Sequence, residues 1–258
     1  MDVSSISRSQ WCVLLVVAGL VGLSWLGTLD TISGDYVGAS LLDAGIIYGT
    51  ARGINALVSA LQGTELDLWL VTFSVGELLD PINDMIERFS GVMTIAITSL
   101  VIQQLLLVIV SDATFSAVLT LLAVAVITAL LVNKTNSYKI FLKVFLVVAL
   151  LRFSLSLVVI ANLWVDQAFL PGSDAAEFRV MQDFEADLHG VDRMIRGAGN
   201  RSEIGGQFNR LQDKFSRFVD SSLHLMGALL LKSVIVPVLF LWGVVAAGRG
   251  LFRLVPEL

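Results

Sequence analysis

Phe89–Ser111 reads FSGVMTIAITSLVIQQLLLVIVS without a single charge, and after one aspartate Ala113–Asn133 reads ATFSAVLTLLAVAVITALLVN, again uncharged. Ser233–Gly248 is likewise uncharged, and Val144–Val165 carries one charge, Arg152. A hydrocarbon layer about 30 Å thick needs roughly 20 apolar residues of helix to cross it, because only a helix or a closed barrel satisfies its own backbone polar groups there. Several such runs in a chain of 258 residues, 56% hydrophobic, 15% charged and of mean hydropathy +0.83, exclude a soluble enzyme. They predict an all-α, polytopic membrane protein.

Working outward, Gln10–Gly27 is a further apolar segment, preceded by Arg8 and carrying Trp11 and Trp25 near its ends, where indole rings favour the headgroup level. With one leading cation and no Ala-x-Ala-like site it reads as an uncleaved anchor rather than a signal peptide. Cys12 is the single cysteine, so no intramolecular disulfide forms and the redox compartment is not legible.

Charge placement sets an orientation. Asp30–Arg88 holds nine acids against Arg52 and Arg88, a net of −7, and is expected outside. Lys134, Lys139 and Lys143 cluster without an acid, Arg8 marks the N-terminus and Arg249 and Arg253 the C-terminal tail, all expected in the cytoplasm. The expectation is therefore a plasma membrane, the bacterial inner membrane in particular, with both termini cytoplasmic. Parity then conflicts with the number of apolar runs, because the chain must re-enter an odd number of times between Asp30 and Lys134. The reading adopted has four spans, approximately 10–27, 113–132, 144–165 and 225–248. In it, 28–112 is a first extracytoplasmic helical region whose apolar part, 91–110, is buried, interfacial or re-entrant. The alternative is a fifth span over 91–110, with Ser111 and Asp112 as a tight cytoplasmic turn.

Outside the spans the periodicity is helical. Asp80-Pro81 predicts a helix start, since Asp caps free amides and Pro suits the first helical position. From there Ile82, Met85, Ile86, Phe89 and Met93 recur at spacings of three and four. Ala44 to Leu61 shows a weaker pattern interrupted by glycines. In 166–224 a helical hairpin is expected: Phe178, Met181, Leu188, Val191 and Ile195 form one stripe. A glycine-rich stretch follows, and then Phe208, Leu211, Phe215 and Phe218. The second arm is expected to run straight into the last span, which Pro237 should kink.

Chemistry-bearing residues are few. Arg152 lies deep in a span; an intramembrane cation costs at least about 2.5–3.5 kcal/mol and so snorkels to the headgroups, packs against acceptors or lines a path. No carboxylate falls inside any predicted span, which leaves Gln103, Gln104, Ser154, Ser156 and backbone carbonyls as candidate acceptors. Snorkelling is the first expectation for Arg152, and outward snorkelling for the shallower Lys232; both cations facing one cavity would favour anions. Glu77, Asp80, Asp84 and Glu87 share a helix side and read as a solvated face. Glu185, His189 and Asp192 share another and form a weak candidate metal site. Small residues Ala18, Gly19, Gly22, Gly243 and Ala247 permit close helix contacts. Asn133-Lys-Thr and Asn200-Arg-Ser match the glycosylation pattern.

No nucleophile elbow, phosphate loop or zincin pair occurs, and His189 and His224 are the only histidines. With 17 basic against 22 acidic residues and a pI near 5.0, nucleic acid is not an expected partner, and no cofactor is implied. The functional expectation is a non-enzymatic integral membrane interaction or assembly protein, a homo-oligomer or the companion of another membrane protein, with an extracytoplasmic helical domain. The alternative is an oligomeric channel or transporter with a cationic, anion-favouring path near Arg152; a lipid-directed membrane enzyme ranks third.

Overall fold

The computed structural model describes residues 8–62, 71–132, 135–169, 173–197 and 201–254, and all of these are helical except Gly27, Asp112, Val132 and Gly197. In chain order the helices are α1 (Arg8–Leu26), α2 (Thr28–Gln62), α3 (Val71–Ser111), α4 (Ala113–Leu131) and α5 (Thr135–Phe169). Then come α6 (Ser173–Arg196), α7 (Arg201–Leu230), a π turn (Leu231–Ile235) and α8 (Val236–Leu254). Leu79–Ser111, Ala113–Leu131, Ser137–Ala168 and Asn209–Gly250 are each long and apolar enough to cross a membrane. α1 and α2 meet the same test only together, as a pair bent by 51°. The chain forms two compact units: unit 1 is Met1–Ala39, Val101–Leu163 and Val236–Leu258, and unit 2 is Ser40–Leu100 and Trp164–Ile235.

Unit 2 is built on heptads. Its buried residues are Ala44, Ile47, Ala51, Ile54, Val58 and Leu61 on α2, and Leu79, Ile82, Ile86, Phe89, Met93, Ala96 and Leu100 on α3, spaced alternately by three and four. Met181, Phe184, Leu188 and Val191 on α6 follow the same rule, as do Leu211, Phe218 and Leu225 at intervals of seven on α7. A repeat of 3.5 residues keeps one seam per helix turned to its neighbours, as in coiled coils and helix bundles. The expected hairpin is α6 with α7, closed at Gly197, whose N–H donates to the Arg193 carbonyl. Across it, the Phe184 and Phe218 rings stack with centroids 4.3 Å apart.

Two local expectations are corrected here. α3 begins at Val71, so Asp80-Pro81 is not its start; Pro81 lies inside the helix. The loss of one backbone hydrogen bond there is outweighed by burial of Leu79 and Ile82 on either side, both 0% exposed. Asp80 instead accepts a hydrogen bond from Gln62 Nε2 at 3.1 Å. Likewise the glycines of 44–61 do not interrupt α2, because the seam opposite them is continuously buried; only Gly53 is closely approached, by the Glu185 carboxylate of α6.

In unit 1, α1 packs on α4 in the opposite sense. Ser24 and Ser116 share a 2.7 Å hydrogen bond and Trp25 Nε1 donates to Thr120 Oγ1 at 3.0 Å, joining the end of α1 to the start of α4. Val17 is buried with Leu119, Ala123, Val126 and Ala129 of α4 and Tyr138, Leu142, Phe145, Ala149 and Phe153 of α5. The outward residues are equally apolar: Leu15, Leu121, Val124, Leu239 and Trp242 are all exposed. A contiguous apolar surface of this kind suits hydrocarbon rather than water. α4 is capped by Asp112, whose carboxylate accepts from the Thr114 N–H at 2.8 Å.

The Phe184–Phe218 stack joins two fully buried rings across the arms of the hairpin, and truncation there leaves a cavity in the seam. Phe184→Ala is expected to destabilise unit 2 by about 3–5 kcal/mol. Thermal unfolding of the purified protein in detergent, followed by circular dichroism, measures the effect, and an unchanged midpoint would show the seam to be dispensable.

Candidate functional site

The break between α1 and α2 creates the first charged site. Gly27 adopts φ 65°, a left-handed conformation that glycine enters without steric cost, and α2 restarts at once with Thr28. Such a break puts the carbonyl end of one helix, a negative pole, beside the amide end of the next, a positive one. Each pole is matched by a charge. Asp30 sits in the first turn of α2, and the guanidinium of Arg152, on α5, lies against the last turn of α1.

Arg152 is 1% exposed and grips Asp30 with both terminal nitrogens, Nη1 to Oδ1 at 2.7 Å and Nη2 to Oδ2 at 2.5 Å. Nη2 also donates to the Ser24 carbonyl at 3.4 Å, an oxygen shared with the Ser116 hydroxyl. The Phe153 ring lies 5.5 Å from the guanidinium carbon. Two parallel charge-assisted bonds in a planar fork are the strongest arrangement open to these groups, and a lysine at position 152 could not reproduce it. Arg152 Nε and the Ser156 hydroxyl one turn on have no partner among the described residues.

Snorkelling is therefore not what Arg152 does. The reason lies with Asp30, counted from sequence as the first acid of an exported loop because the apolar run stops at Gly27. Helix α2 begins before the polar residues do, and carries Asp30 back onto the buried face. No spacing rule links residues 122 apart, so only the acid's place at the start of a helix could have hinted at it. Gln103 is buried and Gln104 half-buried on α3, but the described partners of Arg152 are Asp30 and Ser24.

A second charged cluster belongs to unit 2. Lys232 does not point away; its ammonium lies 2.6 Å from Asp166 Oδ1 at the end of α5 and 2.5 Å from Asp174 Oδ2 in the first turn of α6. The turn that holds it is π-helical, and Pro237 follows within the helical stretch Asn209–Gly250. Proline lacks the N–H that would reach the Ser233 carbonyl in a regular helix, and Ser99 Oγ donates to that carbonyl at 2.6 Å instead. The relaxed π turn and the borrowed hydroxyl absorb the defect.

The remaining candidates disperse. Asp80, Asp84 and Glu87 are exposed, and the Glu77 side chain is outside the described residues. Asp192 holds Arg196 in an exposed i,i+4 pair, Glu185 faces Gly53 and His189 is exposed; among the described residues no three ligating side chains converge. Asn133 and Asn200 lie outside the described residues. Comparison with protein-family models, with curated proteins and with solved structures finds no match.

Removing one member of the bidentate pair strands a buried charge, whereas removing both does not. Asp30→Asn is expected to lower stability in detergent by about 3–5 kcal/mol, and Asp30→Leu with Arg152→Leu to recover most of that loss. Equal losses in the single and double variants would show that the pair is not the source of the effect. Ser99→Ala leaves a buried carbonyl without its donor and should cost about 1–3 kcal/mol, less when Pro237→Ala supplies an N–H; additive losses would refute the compensation.

Proposed function

We propose that this chain is a multi-pass membrane protein of the interaction or assembly class, with both termini in the cytoplasm of a plasma membrane and an exported helical domain. The observation that carries this reading is the saturation of the charges in its apolar stretches. Arg152 is neutralised by Asp30 and Lys232 by two carboxylates, so the positive charge that an anion path requires is cancelled. What is left to present to a partner is the helical hairpin, whose polar faces surround a heptad core.

The same reading offers a specific way through the parity conflict. α3 and α4 are separated by one residue, Asp112, and antiparallel helices need a connection of at least about two residues, so α3 and α4 are not two neighbouring spans folded back on one another. They are read as a single interrupted passage, like α1 and α2 about Gly27. The two interruptions are neighbours, because Ser24 meets Ser116. Four passages result: α1–α2 outward, α3–α4 inward, α5 outward and α7–α8 inward. Arg8, the lysines of 134–143 and Arg249 then all fall on the cytoplasmic side, as charge bias demands.

With Cys12 replaced, cysteines introduced at Ser137 and Ser202 should be labelled by impermeant maleimide from the cytoplasm and from outside respectively, and one at Ser111 from neither. Ready cytoplasmic labelling at Ser111 would establish five spans instead. A photo-crosslinking residue in place of Asp213 or Arg217, both exposed on α7, is expected to trap a discrete adduct in intact cells. Absence of any adduct together with a steady anion-selective current in planar bilayers would turn the conclusion to the channel reading.

A further inference from the structure

We infer that the exposed face of α2 within unit 1 docks a transmembrane helix of a different membrane protein, one whose lysine or arginine pairs with Asp35. The inference rests on the membrane reading above and adds to it a partner of defined chemistry. On that reading α2 and α5 both run outward, and the contact between Arg152 and Asp30 sets their register. Five residues further along each helix come Leu157 and Asp35, about 7 Å beyond the pair. The other helices of unit 1 present hydrocarbon at that level. Leu157 and Ile160 of α5 are exposed, and so are Leu105 and Leu106 of α3, which stand outward of the break at Asp112 much as Asp35 stands outward of Gly27. Leu241 of α8, seven residues before the Gly248 that touches Leu150, is exposed as well. Asp35 is exposed and has no ion pair among the described residues, so it is a lone carboxylate on an apolar belt.

In hydrocarbon a carboxylate is met by an opposite charge rather than by lipid tails, and the surface round Asp35 suits a helix that brings one. A β-carbon added at Gly34 or Gly38 would meet nothing within 4 Å, and Thr31, Gly38 and Ala39 are exposed at spacings of three and four from Asp35. Bare backbone beside a charge lets a second helix approach until the two side chains meet. The glycines set the distance and Asp35 sets the chemistry. A second copy of this chain does not supply the cation. Its cations in apolar stretches are taken, Arg152 by Asp30 and Lys232 by Asp166 and Asp174, and copies inserted the same way about a two-fold axis would bring Asp35 against Asp35. Arg249 follows the Gly248 that is level with Leu150, about eight residues or roughly 12 Å to the cytoplasmic side of Leu157. The cation therefore comes from another chain.

The probe is a synthetic leucine–alanine helix of roughly 20 residues, long enough to span, with one central lysine. It carries a quencher and is reconstituted in phosphatidylcholine vesicles with the full chain labelled at Cys12, its single cysteine. Half-maximal quenching is expected at a peptide density at least about ten-fold lower than for the same helix with leucine in place of lysine. Asp35→Asn should bring the two peptides within about two-fold of each other, and Asp84→Asn, on the exposed side of α3 in unit 2, should leave the preference unchanged. Asp35→Lys should transfer the preference to a helix with a central glutamate, a gain that misfolding does not produce. Circular dichroism checks that the variants remain helical. Equal quenching by the lysine and leucine helices, or a lysine preference that survives Asp35→Asn, overturns the site. Energy transfer between two labelled pools of the chain that disappears with Asp35→Asn makes the occupant a second copy and overturns the assignment to a different protein. Carbonate extraction separates the two levels of inference. Release of the chain from membranes defeats the membrane reading itself, whereas retention without a lysine preference defeats only the docking site.

Discussion

A guanidinium in apolar surroundings must be paired, and most of unit 1 is arranged so that it is. Arg152 lies near the middle of α5, a helix long and apolar enough to cross a membrane, where an uncompensated cation costs several kcal/mol, and its partner comes from a helix that starts just after a break. The left-handed Gly27 makes that break, the two helix poles make it a receptive place for opposite charges, and the Ser24–Ser116 contact ties α4 to the same point. Four helices, α1, α2, α4 and α5, are thus keyed to one ion pair. A buried pair of this kind is weak ground for stability in itself, since apolar residues of similar size often do as well. Its effect is on specificity: register between α1–α2 and α5 is fixed by a bidentate contact that tolerates little displacement.

Unit 2 depends on a different principle. Its helices are held by apolar seams with a strict heptad rhythm, and its exposed ion pairs, such as Lys214 with Asp187 at 2.5 Å, add little because solvent screens them. Where α7 gives way to α8 the composition turns from amphipathic to mainly apolar, and the π turn with Lys232 marks the change. There an ammonium answers two carboxylates, and a serine hydroxyl from α3 replaces the donor that Pro237 lacks. The carbonyl left bare by Pro237 and the two cations Arg152 and Lys232 are each met by a partner from another helix.

Much of this was legible in the residues. All-helical structure, the apolar stretches, the hairpin closed near Gly197 and the unbroken run of α7 into α8 follow from periodicity and hydropathy, which act through near neighbours in sequence. The limits of helices were less so: α3 passes through Pro81 and α2 through its glycines because burial on the opposite face outweighs local propensity.

The residues alone thus determined that the chain is helical, apolar over several membrane lengths, basic at one set of ends and acidic in its connections, because these are properties of composition and of neighbours three and four apart. Only the tertiary structure decided where the two isolated cations go. Asp30 and Arg152 are 122 positions apart and Lys232 is 66 and 58 from its carboxylates, distances over which sequence carries no geometric record. Electrostatic pairing in a medium of low dielectric is strong and short-ranged in its requirements, and it is satisfied by whichever groups the fold brings within 3 Å, not by those that the chain order suggests.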